Sequence, residues 1–149
     1  MAHIPVDHPL RGLYRALAAV IGVALLVIGV VGLIKTAGDV GFFATHGERV
    51  LGLTMNPAFA VLNIVAGAVI AGAAFLGRNI DATVNLLGGV LFLLAGGVML
   101  CVLRTDLNVL AFSITNVNVS FLIGTALLAA GLYGRTSLTQ RKPVATARA

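Results

Sequence analysis

Uninterrupted apolar runs alternate with short polar segments along the chain. Four runs, at about residues 13–34, 57–77, 82–103 and 117–134, contain almost no charged side chains. A helix rises about 1.5 Å per residue, so each run is long enough to cross the ~30 Å hydrocarbon core of a bilayer. The pattern predicts an all-α integral membrane protein that folds as a bundle of four transmembrane helices.

The second and third runs are separated only by a few polar residues, which predicts a tight turn between antiparallel helices. Asn56 and Pro57 are typical of a helix start, because Asn caps free backbone N–H groups and proline at the first helical position loses no hydrogen bond. Arg78 is then predicted to lie at the negative dipole end of the second helix, and Asp81 at the positive end of the third.

Two longer connections, residues 35–55 and 104–116, join the other helices. The first has no helical or alternating period, and we interpret it as a candidate partner-contact loop. Its members are Phe42, Phe43, His46, Glu48 and Arg49. The alternative is an interfacial loop that the two phenylalanines anchor at the membrane surface. The second connection has an apolar centre and is predicted to lie along the surface.

Only 10% of the residues are charged, whereas a soluble domain carries about 25%. The net charge of +5 comes from basic residues at the ends of the apolar runs and in the tail. They are not interleaved with aromatic residues, so we expect no nucleic-acid partner. Residues 1–12 are predicted to form a cytoplasmic segment, residues 13–135 the membrane domain, and residues 136–149 a basic, disordered tail.

Four spans place both termini on one side of the membrane. The lysines and arginines on that side are Arg11, Arg15, Arg78, Arg135, Arg141, Lys142 and Arg148, against Lys35, Arg49 and Arg104 on the other. Because positive residues accumulate on the cytoplasmic side, both termini are predicted to be cytoplasmic, in a multi-pass protein of the bacterial cytoplasmic membrane.

An internal repeat relates the two halves of the chain. In the first and third spans, two glycines recur two helical turns apart, and in the second and fourth a polar residue precedes a glycine by one turn. The matched pairs are Gly22 with Gly89, Gly29 with Gly96, Asn63 with Ser120, and Gly67 with Gly124. This pattern predicts two similar helical hairpins related by an axis along the membrane normal.

Small residues let membrane helices approach each other closely. The glycines predicted to lie at helix–helix contacts are Gly22, Gly29, Gly67, Gly72, Gly89, Gly96 and Gly124.

Polar chemistry inside the predicted spans is sparse. None has an ionisable side chain in its interior, which argues against a proton-coupled pump. The intramembrane polar residues are Asn63, Asn85, Ser120 and Thr125. We interpret them as interhelical hydrogen-bonding groups, with substrate binding as the alternative. All 3 histidines lie outside the spans, and we predict no haem or other cofactor, no metal centre and no catalytic residues.

Several short motifs extend from about Leu13 to Gly134. They are Tyr14-Arg15, Leu51-Gly52, Asn56-Pro57 and the glycines at positions 22, 29, 32, 67 and 124. With these motifs the chain resembles a family of small actinobacterial four-span membrane proteins catalogued as a domain of unknown function. In that family histidine often precedes the last two glycines by one turn, where this chain has Asn63 and Ser120. The resemblance implies a membrane location and a four-helix form, without an activity.

These features predict a non-enzymatic membrane protein. The first hypothesis is a structural or accessory subunit that packs against other membrane proteins, for example in a respiratory or envelope assembly. The alternative is a passive channel or carrier for small neutral or apolar molecules, which requires a path past Asn63, Asn85 and Ser120. Expected partners are membrane lipids, together with other membrane proteins or further copies of this chain.

Overall fold

The computed structural model describes residues 7–137, so half of the predicted N-terminal segment and most of the basic tail lie outside the described residues. Four helices are long and apolar enough to cross a membrane: α1 (Arg11–Thr36), α2 (Pro57–Leu76), α3 (Ile80–Val102) and α4 (Ile114–Tyr133). They confirm the predicted all-helical, four-span fold class. We call the end that carries residues 7 and 137 and the α2–α3 turn the terminal end, and the opposite end the capped end.

Helix α2 begins as the sequence predicts. Asn56 Oδ1 accepts a hydrogen bond of 2.9 Å from the backbone N–H of Phe59, and Pro57 occupies the first helical position. This side-chain cap satisfies one of the backbone donors that a helix start leaves free.

Arg15 supplies a further cation at the end of α2, where the sequence predicts Arg78. The Arg15 guanidinium, which belongs to α1, donates to the carbonyl oxygens of Ala74 and Phe75. Arg78 is exposed in the turn with a φ of 54°. A cation from the neighbouring helix therefore satisfies two of the carbonyls that the end of α2 leaves free.

Helix α1 packs closely on α2, and α3 packs closely on α4, so the bundle consists of two hairpins. A Cβ atom on Gly22 would lie 2.6 Å from the backbone nitrogen of Ala71, and one on Gly89 would lie 2.6 Å from that of Leu128. Ala71 and Leu128 occupy equivalent positions in the sequence repeat. The two hairpins thus repeat the same backbone contact.

The second glycine pair repeats as well. A Cβ on Gly67 would lie 2.6 Å from the Gly22 carbonyl oxygen, and one on Gly124 would lie 3.0 Å from the Gly89 carbonyl oxygen. Gly29 approaches Ile64 and Gly96 approaches Phe121; these partners are again repeat-equivalent.

Gly72 corrects the list of packing glycines. A Cβ on Gly72 would meet no atom within 4 Å, so the prediction that it packs against another helix was wrong. Gly72 lies about 140° around the α2 axis from Gly67 and therefore on a different face. Gly131, which the pattern did not single out, does lie at a contact: a Cβ on it would lie 2.5 Å from the backbone nitrogen of Leu86.

The first connection contains a β-hairpin, where the sequence predicted an irregular loop. Strand β1 (Glu48–Val50) pairs antiparallel with β2 (Leu53–Met55). The two residues between them, Leu51 and Gly52, have φ values of 51° and 87°, as in the tight turns that match the twist of paired strands. Buried side chains of both strands pack on the capped ends of α1, α2 and α4.

Two buried asparagines fasten the connections to the helices at the capped end. Asn56 Nδ2 donates to the carbonyl oxygens of Ala44 and Val109, each at 2.8 Å, and so joins the two connections. Asn116 Oδ1 accepts from the Thr54 backbone N–H at 3.0 Å, and its Nδ2 donates to the Thr54 carbonyl oxygen. The β-hairpin is therefore held on α4 as well as on α2.

The sequence predicted that the second connection lies along the surface, but part of it is buried. Ala111 and Phe112 are buried. Asn108 accepts from the Phe112 N–H at 2.8 Å and donates to its carbonyl oxygen at 3.0 Å. The Phe112 ring then meets Phe59 of α2 edge to face, with 4.7 Å between ring centroids. The apolar centre of this connection closes the bundle because these hydrogen bonds turn it inward.

At the terminal end, α1 and α4 are joined beside the membrane span. The Tyr14 ring stacks on Tyr133 with 5.6 Å between centroids, and His8 meets Tyr133 edge to face. Arg11 Nε donates to the Gly134 carbonyl oxygen at 3.0 Å. The stacked pair Tyr14–Tyr133 thus connects the first and last helices.

Candidate functional site

A gap lies between α2 and α3, the helices that join the two hairpins. They pack on each other less closely than the helices within a hairpin do. A cavity of about 410 Å³ lies there, within the range of ligand pockets, roughly 300–1,000 Å³. It extends from Phe59 to Ile70 on α2 and from Val84 to Ala95 on α3, about 17 Å along the helix axes. We call it the interhairpin cleft.

The walls of the interhairpin cleft are mostly hydrocarbon. Its rim consists of side chains that are each more than half exposed: Leu62, Val69, Leu87 and Leu91. These positions lie within the membrane-spanning helices, where an exposed apolar side chain faces lipid. The cleft therefore opens sideways, and a molecule dissolved in the bilayer can reach it without crossing water.

The capped end of the cleft is lined by Leu110 and Phe112 from the second connection. Phe112 is fixed there by its hydrogen bonds to Asn108 and its contact with Phe59. The arrangement is that of a side-opening cleft with an aromatic wall at one end.

Asn63 and Ser120 are the polar side chains that line the interhairpin cleft. They are 4% and 5% exposed, and they are the pair that the sequence repeat relates. Asn63 Nδ2 donates to the Phe59 carbonyl oxygen at 2.7 Å, so its Oδ1 is left as an acceptor. The Ser120 hydroxyl can both donate and accept.

A second cavity of about 20 Å³ is lined by the same two side chains and by Asn116. A water molecule needs a cavity of at least roughly 10–15 Å³ and two to four polar partners. The second cavity has room for one water molecule. Asn63 and Ser120 therefore lie between a ligand-sized space and a water-sized space.

The other two intramembrane polar residues lie away from the cleft. Asn85 is buried, and its Oδ1 has no hydrogen-bond partner among the described residues; the same holds for Oδ1 of Asp81, one turn earlier. Thr125 is exposed and donates to the Phe121 carbonyl oxygen at 2.8 Å. Of the three polar side chains that the carrier hypothesis requires along a path, Asn63 and Ser120 line the cleft and Asn85 does not.

The candidate partner-contact residues lie at the capped end and do not line the cleft. Phe42 and Phe43 are more than half exposed, and their rings meet edge to face at 4.8 Å. His46, Glu48 and Arg49 are also exposed. Together they form a surface separate from the cleft.

Phe59 and Phe112 are cleft residues that the sequence reasoning missed. The position of Phe59 could have been predicted from sequence spacing, since it lies one helical turn before Asn63 and so on the same face of α2. The position of Phe112 could not, because it depends on the Asn108 hydrogen bonds. The helix period does not extend into that connection.

A family model described as a domain of unknown function, DUF4383, matches residues 15–133 of the chain. The match covers most of α1, both connections and the other three helices. No curated protein and no solved structure matches the chain.

Proposed function

The chain belongs to the DUF4383 family, and we propose that it is a non-enzymatic membrane protein that takes small apolar molecules from the bilayer and holds or carries them in the interhairpin cleft. This is the passive-carrier hypothesis of the sequence, in a form that needs no pore. Its setting is the bacterial cytoplasmic membrane, with both termini on the cytoplasmic side.

The observation that carries the proposal is the cleft of about 410 Å³ whose rim residues face lipid. Ligand sites are concave and mostly apolar, with a few polar groups that orient the ligand. The cleft has that composition, with Asn63 and Ser120 as its polar pair. A ligand that leaves lipid for the cleft exchanges one hydrocarbon surrounding for another, so shape and the polar pair determine selectivity.

Saturable photolabelling tests the proposal. The full chain is placed in nanodiscs of fixed lipid composition and exposed to a dodecyl diazirine, with excess dodecane as competitor. We expect labels on cleft peptides of α2 and α3 that excess dodecane suppresses. Uniform labelling of all lipid-facing positions, unaffected by the competitor, contradicts the proposal.

A matched pair of variants controls for general lipid contact. Ala95 lines the cleft and is exposed, so Ala95→Phe fills part of the cleft without entering a packed core. Ala68 is also exposed but lies outside the cleft. The suppressible label should be lost in Ala95→Phe and retained in Ala68→Phe.

The accessory-subunit hypothesis is the second candidate, and the exposed Phe42–Phe43 pair beside His46, Glu48 and Arg49 favours it. Exposed aromatic side chains flanked by charges are common in protein interfaces. Under this hypothesis the surface at the capped end docks another membrane protein. Purification in mild detergent tests it: a specific co-purifying protein, lost in the double variant Phe42→Ala and Phe43→Ala, supports it, and a clean monomer or homodimer contradicts it.

A further inference from the structure

We infer that the ligand of the interhairpin cleft is a long-chain molecule that carries a hydroxyl group, and that this group binds between Asn63 and Ser120. The inference rests on the proposed function and adds the chemical class of the ligand. It is based on the hydrogen-bonding capacity that Asn63 and Ser120 do not use within the protein.

Asn63 can only accept at this position. Its Nδ2 donates to the Phe59 carbonyl oxygen of its own helix at 2.7 Å, whereas Oδ1 keeps its acceptor capacity. Asn63 is 4% exposed, and an acceptor on an apolar cleft wall gains free energy from a hydrogen-bond donor. A cleft occupant that donates a hydrogen bond is therefore favoured.

Ser120 complements this requirement. It is 5% exposed and lines the cleft together with Asn63. Its hydroxyl can donate to an occupant or accept from it. A ligand hydroxyl donates to Asn63 Oδ1 and accepts from Ser120 Oγ at the same time, whereas a ketone or ester oxygen cannot donate to Asn63. The pair thus selects a hydroxyl over a carbonyl.

The rest of the cleft fits a hydrocarbon chain. It extends from Ile70 and Val84 near the terminal end to Phe59 and Ala95 near the capped end, a length of about 17 Å. No charged side chain from residues 7–137 lines it, so a phosphate or carboxylate headgroup would be buried without a counter-ion from them, which is costly. A neutral alcohol avoids that cost.

Competition between matched probes tests the inference. Dodecanol and dodecane are each titrated against the dodecyl diazirine label, on the full chain in nanodiscs of one lipid composition. For the wild type, dodecanol should compete at a concentration about tenfold lower than dodecane, as expected for one or two net hydrogen bonds. Dodecanol and dodecane also partition differently into the bilayer. This difference is the same for every variant, so it cancels when the ratio of the two competing concentrations is compared between variants.

The variants address the polar pair directly. Ser120→Ala removes the hydroxyl and Ser120→Thr keeps it; Asn63→Leu removes the acceptor with little change in volume. The tenfold preference should disappear in Ser120→Ala and Asn63→Leu and persist in Ser120→Thr. If Asn63→Leu fails to fold, the two Ser120 variants still decide.

Three outcomes overturn the inference, at different levels. An equal dodecanol-to-dodecane ratio in the wild type and Ser120→Ala means that the polar pair does not contact the ligand, while the apolar cleft stands. Absence of any suppressible label removes the proposed function as well. Cross-linking of the cleft to a second polypeptide also contradicts it, because a protein helix then occupies the space.

Discussion

At the scale of single residues, the closest contacts of the bundle are made by glycines that leave no room for a side chain. Gly67 lies so near the Gly22 carbonyl that an added Cβ would be 2.6 Å away, closer than any real contact. Gly67→Ala should therefore force α1 and α2 apart and lower the free energy of unfolding by about 1–3 kcal/mol.

Thermal or denaturant unfolding in detergent measures this effect, and Gly72→Ala is the matched control on the same helix. A Cβ at Gly72 meets no atom within 4 Å, so that variant should be as stable as the wild type. If both alanines are equally harmless, the close α1–α2 contact is not present.

Asn56 combines three hydrogen bonds in one side chain. It caps α2 through Oδ1 and holds both connections through Nδ2. Asn56→Ala removes the cap and leaves two carbonyls without their partner, so the free energy of unfolding should fall by about 2 kcal/mol or more.

The same unfolding measurement applies, with Asn118→Ala as the control because Asn118 is exposed on α4. The control should change stability by less than about 0.5 kcal/mol. Similar losses in both variants would show that Asn56 is not the joint between the two connections.

The residue-scale features that were predictable from the sequence are those with a local spacing. The Asn56 cap and the glycine spacing within each helix follow from positions a few residues apart, and the equivalence of Asn63 and Ser120 follows from the same local spacing in both halves of the chain. The bonds from Asn56 to Ala44 and Val109 do not, because these partners are distant in sequence and are brought close only by the packed connections. Gly72 was misplaced because glycine content does not specify which face of a helix is buried.

At the scale of elements, hydrophobic length was sufficient for the helices and insufficient for the strands. Four long apolar runs identify four spans, since only helices satisfy their own backbone in lipid. Strands β1 and β2 have 3 residues each, too short for an alternating period to be recognised. Their turn is Leu51-Gly52, and the usual sequence signal for such a turn is Asn-Gly or Asp-Gly.

The end of α2 provides a test at this scale. Arg15 donates to the carbonyl oxygens of the last turn of α2, and a charged donor there also interacts with the helix dipole. Arg15→Gln should loosen that turn, and its backbone amides should exchange with deuterium about tenfold faster.

Hydrogen exchange with mass spectrometry reads this out peptide by peptide. Arg78→Gln is the control, because Arg78 is close in sequence but exposed. If the Arg78 variant, and not the Arg15 variant, accelerates exchange at the end of α2, the assignment of the capping cation is wrong.

At the scale of the whole molecule, the two hairpins make the same internal contacts but meet each other loosely. The sequence repeat predicts the hairpins, because it records contacts within each of them. It does not predict the interhairpin cleft, since the cleft depends on the loose packing of α2 on α3 and on Phe112 turning inward. Neither property has a local sequence signature.

The orientation of the molecule in the membrane is a further prediction at this scale. Most lysines and arginines lie on the side of the termini, so that side should be cytoplasmic. A reporter that is active only in the cytoplasm, fused after Ala149, should be active. Activity only of a reporter that requires the opposite compartment would reverse the topology.

The most direct test of the central claim, that the interhairpin cleft binds a hydroxyl-bearing chain, uses the absence of tryptophan from the protein. A single tryptophan is introduced as Leu91→Trp at the cleft rim or as Leu122→Trp on the lipid-facing side of α4, both exposed positions. Bromododecanol is then titrated into nanodiscs of fixed lipid composition while the tryptophan fluorescence is followed. We predict that quenching in Leu91→Trp rises steeply and saturates, whereas quenching in Leu122→Trp increases in proportion to the quencher. Proportional, unsaturated quenching at both positions would contradict the account.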